Sequence, residues 1–123
     1  MSNHNETGKR GEALAACWLA MQGFQILFKN WRHGRGEIDI IARKQGVIHI
    51  VEVKTGCTTT FGYPEERINR RKWKTMFRVS DEFLSGWRGE VEIQFDVISV
   101  FIDKKTVHYH HIENAFCLVN TES

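Results

Sequence analysis

The chain has 123 residues, of which 41% are hydrophobic and 26% are charged, a composition typical of one soluble domain with its own core. We therefore expect a single domain over residues 1–123, with residues 1–6 frayed. The formal net charge of +2, from 17 basic and 15 acidic side chains, neither indicates nor excludes a nucleic-acid partner. No apolar run reaches the roughly 20 residues that span a bilayer, and the first ten residues lack the apolar segment of a signal peptide. We expect a cytoplasmic protein without a membrane partner.

Three cysteines are an odd number and lie far apart in the chain, at Cys17, Cys57 and Cys117. No C-x-x-C pair is present in the sequence. This usage fits reduced, mostly buried thiols in a reducing compartment.

The pattern of apolar residues and turn signals predicts a helix, three strands, a second helix, a strand and a final strand. The predicted helices cover 8–22 and a segment from Pro64 or Asn69 to about Leu84. The predicted strands cover 24–29, 36–44, 47–54, 91–102 and 106–111, with an apolar tail at 115–119. A polar turn is predicted at 30–36 and a Gly- and Thr-rich loop at 55–63.

Two runs rich in Ile and Val flank the dipeptide Gln45-Gly46, which predicts two antiparallel strands joined by a tight hairpin. In the register of such a hairpin, Asp39 lies opposite Glu52. Glu37 lies opposite Lys54, and the alternation of a strand places all four side chains on one face. Opposed Cβ atoms are about 4.5–5.5 Å apart, so the two carboxylates are close enough to bind one cation.

The two strands are otherwise apolar on both faces, apart from His49, which predicts a central position in the sheet and partial burial of the acids. The alternative interpretation is a surface ladder in which Lys54 only neutralises Glu52 or Glu37. We favour a functional site, because a second acid stands opposite Glu52 in apolar surroundings.

Glu12 lies on one stripe of the first predicted helix with Ala16 and Leu19. The carboxylate either projects toward the sheet or only interacts favourably with the helix dipole, and the helix alone leaves both interpretations open. Gly8 and Gly11 on the same turn are expected to allow close approach to the sheet.

The second predicted helix has a basic side and an apolar stripe, with Lys72 inside the stripe. A solvated face and a surface for a polyanion both explain the basic side. The candidate nucleic-acid contacts are Lys72, Arg67, Arg70, Arg71, Lys74 and, from the turn before the hairpin, Arg35.

Asp96 alternates with apolar neighbours, and it either supports the site or is an ordinary exposed strand residue. His108 and His110 share a strand face, but a metal site there lacks a third nearby ligand.

The candidate catalytic side chains are an acid on the first helix, an acid on one strand and an E-x-K pair on the next strand. These are Glu12, Asp39 and the pair Glu52 and Lys54. Oxygen ligands without His or Cys favour Mg²⁺ or Mn²⁺ over zinc. Such an ion suits phosphodiester hydrolysis, with Lys54 placed to orient water or to stabilise charge in the transition state.

Asp39 followed by Glu52-Val53-Lys54, after a helix that carries Glu12, resembles the PD-(D/E)XK nuclease superfamily. The motifs that narrow the resemblance are G-x-x-G-E-x-x-A from Gly8 to Ala15, G-F-x-I-L, N-W-R, G-E-I-D, V-E-V-K-T, F-G-x-P, Lys72 and F-D-V from Phe95 to Val97. Together they resemble the YraN family, small bacterial proteins regarded as nucleases and similar in fold to archaeal Holliday-junction resolvases.

This resemblance implies an α/β fold with a restriction-endonuclease-like core, a mixed sheet flanked by helices. It implies that Glu12, Asp39 and Glu52 bind the metal and that Lys54 is the catalytic lysine. It also implies that Lys72 is a further polar residue of the helix. Two positions depart from the pattern: Ile38 replaces the proline of the superfamily name, and Gly56 stands where relatives commonly carry Arg.

Three interpretations from different classes follow. The first is a Mg²⁺-dependent endonuclease acting on DNA, including branched or structured DNA. The others are a nucleic-acid-binding module without turnover and an interaction component of a DNA-processing assembly. Phe101, Ile102, Val107, Tyr109 and Ile112 offer apolar surface at an expected sheet edge, either for a two-fold homodimer or for the tail 115–119 to cover.

Overall fold

The structure, a computed structural model, describes residues 2–56 and 70–115, with side chains from residue 6 onward. Its elements are α1 (Ser2–Met21), β1 (Gln25–His33), β2 (Gly36–Lys44), β3 (Val47–Gly56), α2 (Arg70–Ser85), β4 (Glu92–Ile102) and β5 (Val107–Ile112). The α/β class and the predicted order of elements are confirmed. Neither helix in these ranges is both long and apolar enough to cross a membrane.

The five strands form one mixed sheet in the order β1-β2-β3-β4-β5. β3 and β4 are parallel, with α2 in the crossover between them, and the other neighbours are antiparallel. One core lies between the sheet and α1, and it is built from residues such as Leu19, Val51 and Ile98. A second core, with Ile50 and Met76, lies between the opposite face and α2. The mixed sheet flanked by helices agrees with the fold that the resemblance implies.

The hairpin between β2 and β3 has the predicted register over five pairs, from Lys44↔Val47 to Ile40↔Val51. Gln45 and Gly46 both have positive φ, 50° and 80°, as a two-residue hairpin turn of type I′ requires. The ladder then ends, so the expected continuation through Asp39 and Glu52 is wrong. The reason is that β3 continues as the parallel partner of β4 while β2 diverges from it.

Three boundaries or environments differ from those predicted. α1 begins at Ser2 rather than Gly8, so most of the segment expected to be frayed belongs to the helix. β1 continues through the expected turn to His33, because Trp31 pairs with Ile38 and its ring lies 5.5 Å from that of Phe83. Cys17 is exposed rather than buried.

Several predicted features lie outside the described residues. They are Cys57, Cys117, Arg67, both proposed starts of the second helix, most of the loop 55–63 and all but the first residue of the tail 115–119.

Close packing of α1 on the sheet depends on Gly11, not on Gly8. A Cβ at Gly11 would overlap the Thr55 side chain, whereas a Cβ at Gly8 meets nothing within 4 Å. Leu19, farther along α1, is fully buried on the sheet. Gly11 therefore lets the first half of α1, including Glu12, approach the end of β3.

We expect Gly11→Ala to destabilise the protein and Gly8→Ala to stabilise it. Overpacking against Thr55 costs about 1–3 kcal/mol, which exceeds the roughly 1 kcal/mol that Ala gains over Gly inside a helix. Gly8→Ala keeps the helical gain without the overlap. Thermal unfolding of the two variants should show Tm changes of opposite sign, and equal shifts would contradict this account of the packing.

Candidate active site

The site begins where β2 and β3 diverge. Beyond the pair Ile40↔Val51 the ladder stops, and Oδ2 of Asp39 accepts a hydrogen bond from the backbone N–H of Val53 at 2.8 Å. The side chain of Asp39 therefore replaces the next ladder bond and holds the carboxyl group in the opening between the strands. This is the place where the sequence predicted Asp39 and Glu52 to meet, although the local geometry is a fork rather than a ladder.

Three carboxylates meet at this fork. Glu12, Glu37 and Asp39 each offer one oxygen, and these oxygens all lie within 4.8 Å of one another. Glu12 comes from α1, so the interpretation in which it projects toward the sheet is the one that the structure supports. We call these three residues the acidic centre. Glu37 was noted from the sequence as sharing a face with Asp39, but it was not included among the candidate metal ligands.

Glu52 lies beside Asp39 and is almost completely buried, with a side chain that is 3% exposed. Its Oε2 is 3.5 Å from Nζ of Lys54 and 3.2 Å from Nζ of Lys72. Its Oε1 is buried without a hydrogen-bond donor among the described residues. Lys72, a candidate DNA contact that the sequence places within the apolar stripe of α2, has its ammonium at Glu52 and a side chain that is 40% exposed.

Burial, followed by the charge of Glu52, raises the pKa of the Asp39 carboxyl from its ordinary 3.8 to about 9. The hydrogen bond from Val53 acts in the opposite direction, and the charge of Glu12 adds to the rise. Burial is the largest single influence on Lys72 and acts to lower its pKa, but the charge and hydrogen bond of Glu52, together with the charges of Asp39 and Glu37, raise the pKa above its ordinary value. At neutral pH the Asp39 carboxyl group therefore carries its proton.

The donor set fits Mg²⁺ or Mn²⁺. All candidate ligands are carboxylate oxygens, the ligand type that these ions prefer. The buried Oε1 of Glu52 needs a partner, and the proton on Asp39 is the kind of charge that a bound cation displaces.

A basic surface lies on the exposed side of α2. Arg70, Arg71 and Lys74, all exposed, line an open groove of about 370 Å³ together with Thr75 and Arg78. The exposed Arg35 stands in the β1–β2 turn, where a Cβ at Gly36 would lie 2.9 Å from the Arg78 guanidinium. We use the term basic surface for Arg35, Arg70, Arg71, Lys74 and Arg78.

Asp96 is a second polar centre, separate from the fork. It is fully buried, and its oxygens lie 2.6 Å from Nδ1 of His49, 2.9 Å from Nε2 of His111 and 3.0 Å from the donating backbone N–H of Asn114. Burial is the largest single influence on Asp96 and acts to raise its pKa, but the hydrogen bonds from His111, His49 and Asn114 and the charge of His49 together hold the pKa well below its ordinary value.

The exposed-residue interpretation of Asp96 is therefore wrong, and the carboxylate ties β3, β4 and β5 together. His49, the one polar exception on an apolar strand face, was the sequence signal for this centre. His108 is exposed, and its Nε2 lies 3.3 Å from the Thr106 hydroxyl oxygen.

Comparison with known proteins gives the family. The model of "Uncharacterised protein family UPF0102" matches residues 11–100. A UPF0102 protein of Bacteroides thetaiotaomicron is 39% identical over 116 residues, which cover 94% of this chain and 96% of the relative. A UPF0102 protein of Thermodesulfovibrio yellowstonii is 42% identical over 111 residues, 90% of this chain and 96% of the relative.

The matched region includes Glu12, Glu37, Asp39, Glu52 and Lys54, so the family similarity covers the whole fork. It also extends over the second half of α1, over β1, β2, β3 and α2, and over β4 up to Val100. The chain belongs to the UPF0102 family, which is the YraN family that its motifs resemble.

Proposed function

We propose that this protein is a Mg²⁺- or Mn²⁺-dependent endonuclease that hydrolyses phosphodiester bonds in cytoplasmic DNA, with branched or structured DNA as candidate substrates. The observation that carries the proposal is the convergence of Glu12, Glu37 and Asp39 within 4.8 Å at the fork, beside Glu52 and Lys54. A structural ion-pair ladder has no need to place three carboxylates together without an equal number of cations.

Glu12, Asp39 and Glu52, together with Glu37 of the acidic centre, would hold the metal ion. A divalent ion bound there supplies Lewis-acid stabilisation of the charge on a phosphoryl group and makes water a stronger nucleophile. Lys54 is 30% exposed and stands at the mouth of the fork, where its three N–H donors reach a phosphoryl oxygen or orient the attacking water. The burial of Glu52 keeps its charge in a region of low dielectric constant, where it acts strongly on the neighbouring groups.

The basic surface would hold the DNA backbone. Contacts between basic side chains and phosphates contribute affinity without sequence preference, which suits an enzyme that recognises the shape of DNA. Lys72 connects this surface to the fork, because it lies on α2 and its ammonium reaches Glu52.

The test is incubation with linear, flapped and four-way-junction DNA, with Mg²⁺, with Mn²⁺ and with neither. Cleavage of at least one substrate is expected only with metal, and Glu52→Gln should remove it. No cleavage of any substrate with either ion would contradict the proposal, as would full activity of Glu52→Gln.

A nucleic-acid-binding module without turnover is the second candidate, and the basic surface is the observation that favours it. Under either function, Arg71→Ala and Lys74→Ala should each weaken DNA binding and reduce the slope of log affinity against log salt by about one. Arg88→Ala is the matched control, because Arg88 is exposed and lies just past the far end of α2. Salt-dependent binding without any cleavage would favour the second candidate, and equal effects of all three substitutions would contradict the assigned surface.

We also propose that the protein forms a two-fold homodimer, since symmetric cleavage of a duplex or junction requires two sites. β5 is one of the two edge strands of the sheet, as expected, and Phe101, Ile102, Val107, Tyr109 and Ile112 in and beside it are half-buried. Sedimentation at micromolar concentration, with and without junction DNA, tests this proposal. A monomer under both conditions would favour nicking of a single strand.

A further inference from the structure

We propose that Asn30 is a positioning residue of the acidic centre, where it holds Glu12 and Glu37 side by side for a shared cation. This inference rests on the proposed metal-dependent function and adds a residue to which nothing above assigns a role. Asn30 lies on β1, a strand that the sequence pattern predicts to end one residue earlier, at Lys29.

The side-chain amide of Asn30 bridges the two acids. Its Nδ2 donates to Oε1 of Glu12 at 2.7 Å and to Oε1 of Glu37 at 2.8 Å. An amide nitrogen carries two hydrogens, and here one serves each carboxylate. The same nitrogen therefore fixes the relative positions of a side chain from α1 and a side chain from β2.

An amide suits this role because it donates hydrogen bonds without adding charge. The two glutamates repel each other, and a lysine or arginine in place of Asn30 would relieve that repulsion by neutralising the charge that a metal ion requires. Asn30 leaves the charge of the pair intact. Arg32, which donates from Nε to Oε2 of Glu37 at 2.8 Å, is 74% exposed and fixes the outer side of that carboxylate.

The backbone of β1 is shaped to present Asn30 to the acids. Its φ is 54°, in the left-handed region that few residues other than Gly, Asn and Asp adopt readily. The rings of Phe28 and Trp31 both contact Phe83 on α2, at centroid distances of 5.8 and 5.5 Å. The register of β1 against β2 shifts between Ile26 and Phe28, and beyond this shift Phe28 and Trp31 both reach Phe83.

Unusual backbone conformations persist where the surrounding packing fixes them, and they concentrate at functional sites. Here the aromatic contacts with Phe83 on either side of Asn30 fix the strand. The left-handed residue between them turns its amide toward the opposite layer, where α1 supplies Glu12.

The test compares Asn30→Gly with Asn114→Gly by titration calorimetry of the full-length protein with Mg²⁺ and with Mn²⁺. Asn114 has φ 58° and lies away from the fork, so both substitutions remove an asparagine side chain from a left-handed position that Gly tolerates. Asn30→Gly should weaken metal binding about tenfold, in line with the loss of other groups that orient metal ligands. Asn114→Gly should stay within about twofold of the unsubstituted protein, and the same small change in Asn30→Gly would overturn the inference.

A metal-free measurement separates this inference from the proposed function. Absence of metal binding by the unsubstituted protein would contradict the metal-dependent function, and Asn30 would then be judged by thermal unfolding alone. The change in Tm caused by Asn30→Gly should be more negative, by about 2 °C or more, in the natural background than in Glu12→Ala/Glu37→Ala protein, since only the former has the bridged acids. Equal changes in the two backgrounds would overturn the positioning role.

Discussion

Lys54→Ala is expected to slow Mg²⁺-dependent cleavage of DNA about 10²- to 10³-fold, the usual loss when one preorganised donor to the transition state is removed. DNA affinity should stay within a few fold, because under the proposed function most phosphate contacts fall on the basic surface and Lys54 is only 30% exposed. Single-turnover cleavage rates and equilibrium binding, measured on the same substrate, separate the two effects.

Lys54→Arg is not expected to restore the rate, because the planar guanidinium cannot occupy the position of a compact ammonium. Arg88→Ala is the control for a lost surface charge and should cut at the normal rate. Normal cleavage by Lys54→Ala would show that Lys54 acts only as an ion-pair partner of Glu52, whose Oε2 lies 3.5 Å from the Lys54 Nζ.

The part of the fold that sequence predicts well is the part governed by local pattern. The Gln45-Gly46 turn and the alternation around it determine the β2–β3 register, because a slip by one residue would move every apolar side chain to the wrong face. The order of elements follows from the same periodicities. The end of the ladder at Ile40 is not local, because it depends on β4 taking over as the partner of β3.

The first strand shows how tertiary contacts can override local signals. The segment 30–36 is polar and contains two glycines, which favours a turn. Trp31 nevertheless packs on Phe83 of α2, more than fifty positions away, and keeps the segment in the sheet. The sequence pattern does not indicate the bridging role proposed for Asn30, because its two hydrogen-bond acceptors, Glu12 and Glu37, lie on different elements.

Most of the side chains that meet at the fork could be predicted, but only part of their arrangement could. Asp39, Glu52 and Lys54 follow from alternation and pairing, and the structure brings Glu12 to Asp39 as the resemblance implied. The pairing of Lys72 with Glu52 depends on how α2 lies across the sheet, which helical periodicity does not specify. The burial of Asp96 also depends on which sheet face is covered, and an alternating pattern on a single strand leaves that open.

Asp39→Asn is expected to raise the Tm of the metal-free protein above pH 7 and to abolish its stabilisation by Mg²⁺. The pKa of Asp39 is raised to about 9 in the folded protein, while the unfolded chain loses the proton near 3.8. Between these values the folded protein holds more protons, so the free energy of unfolding falls as pH rises from about 4 to 9. Asn does not titrate and avoids this loss, and its Oδ1 still accepts the hydrogen bond from Val53.

Thermal unfolding from pH 5 to 9, with EDTA and with Mg²⁺, measures both effects. The unsubstituted protein should gain about 2.7 kcal/mol at a Mg²⁺ concentration 100 times Kd, and the gain should be larger at pH 8 than at pH 6, because the proton on Asp39 competes with the ion. Glu52→Gln should also lose the metal response. Neutralising a carboxylate that only stabilises the fold lowers the Tm of the protein, whereas neutralising one that is held for a cation raises it. A lower Tm with an intact Mg²⁺ response would therefore exclude Asp39 as a metal ligand.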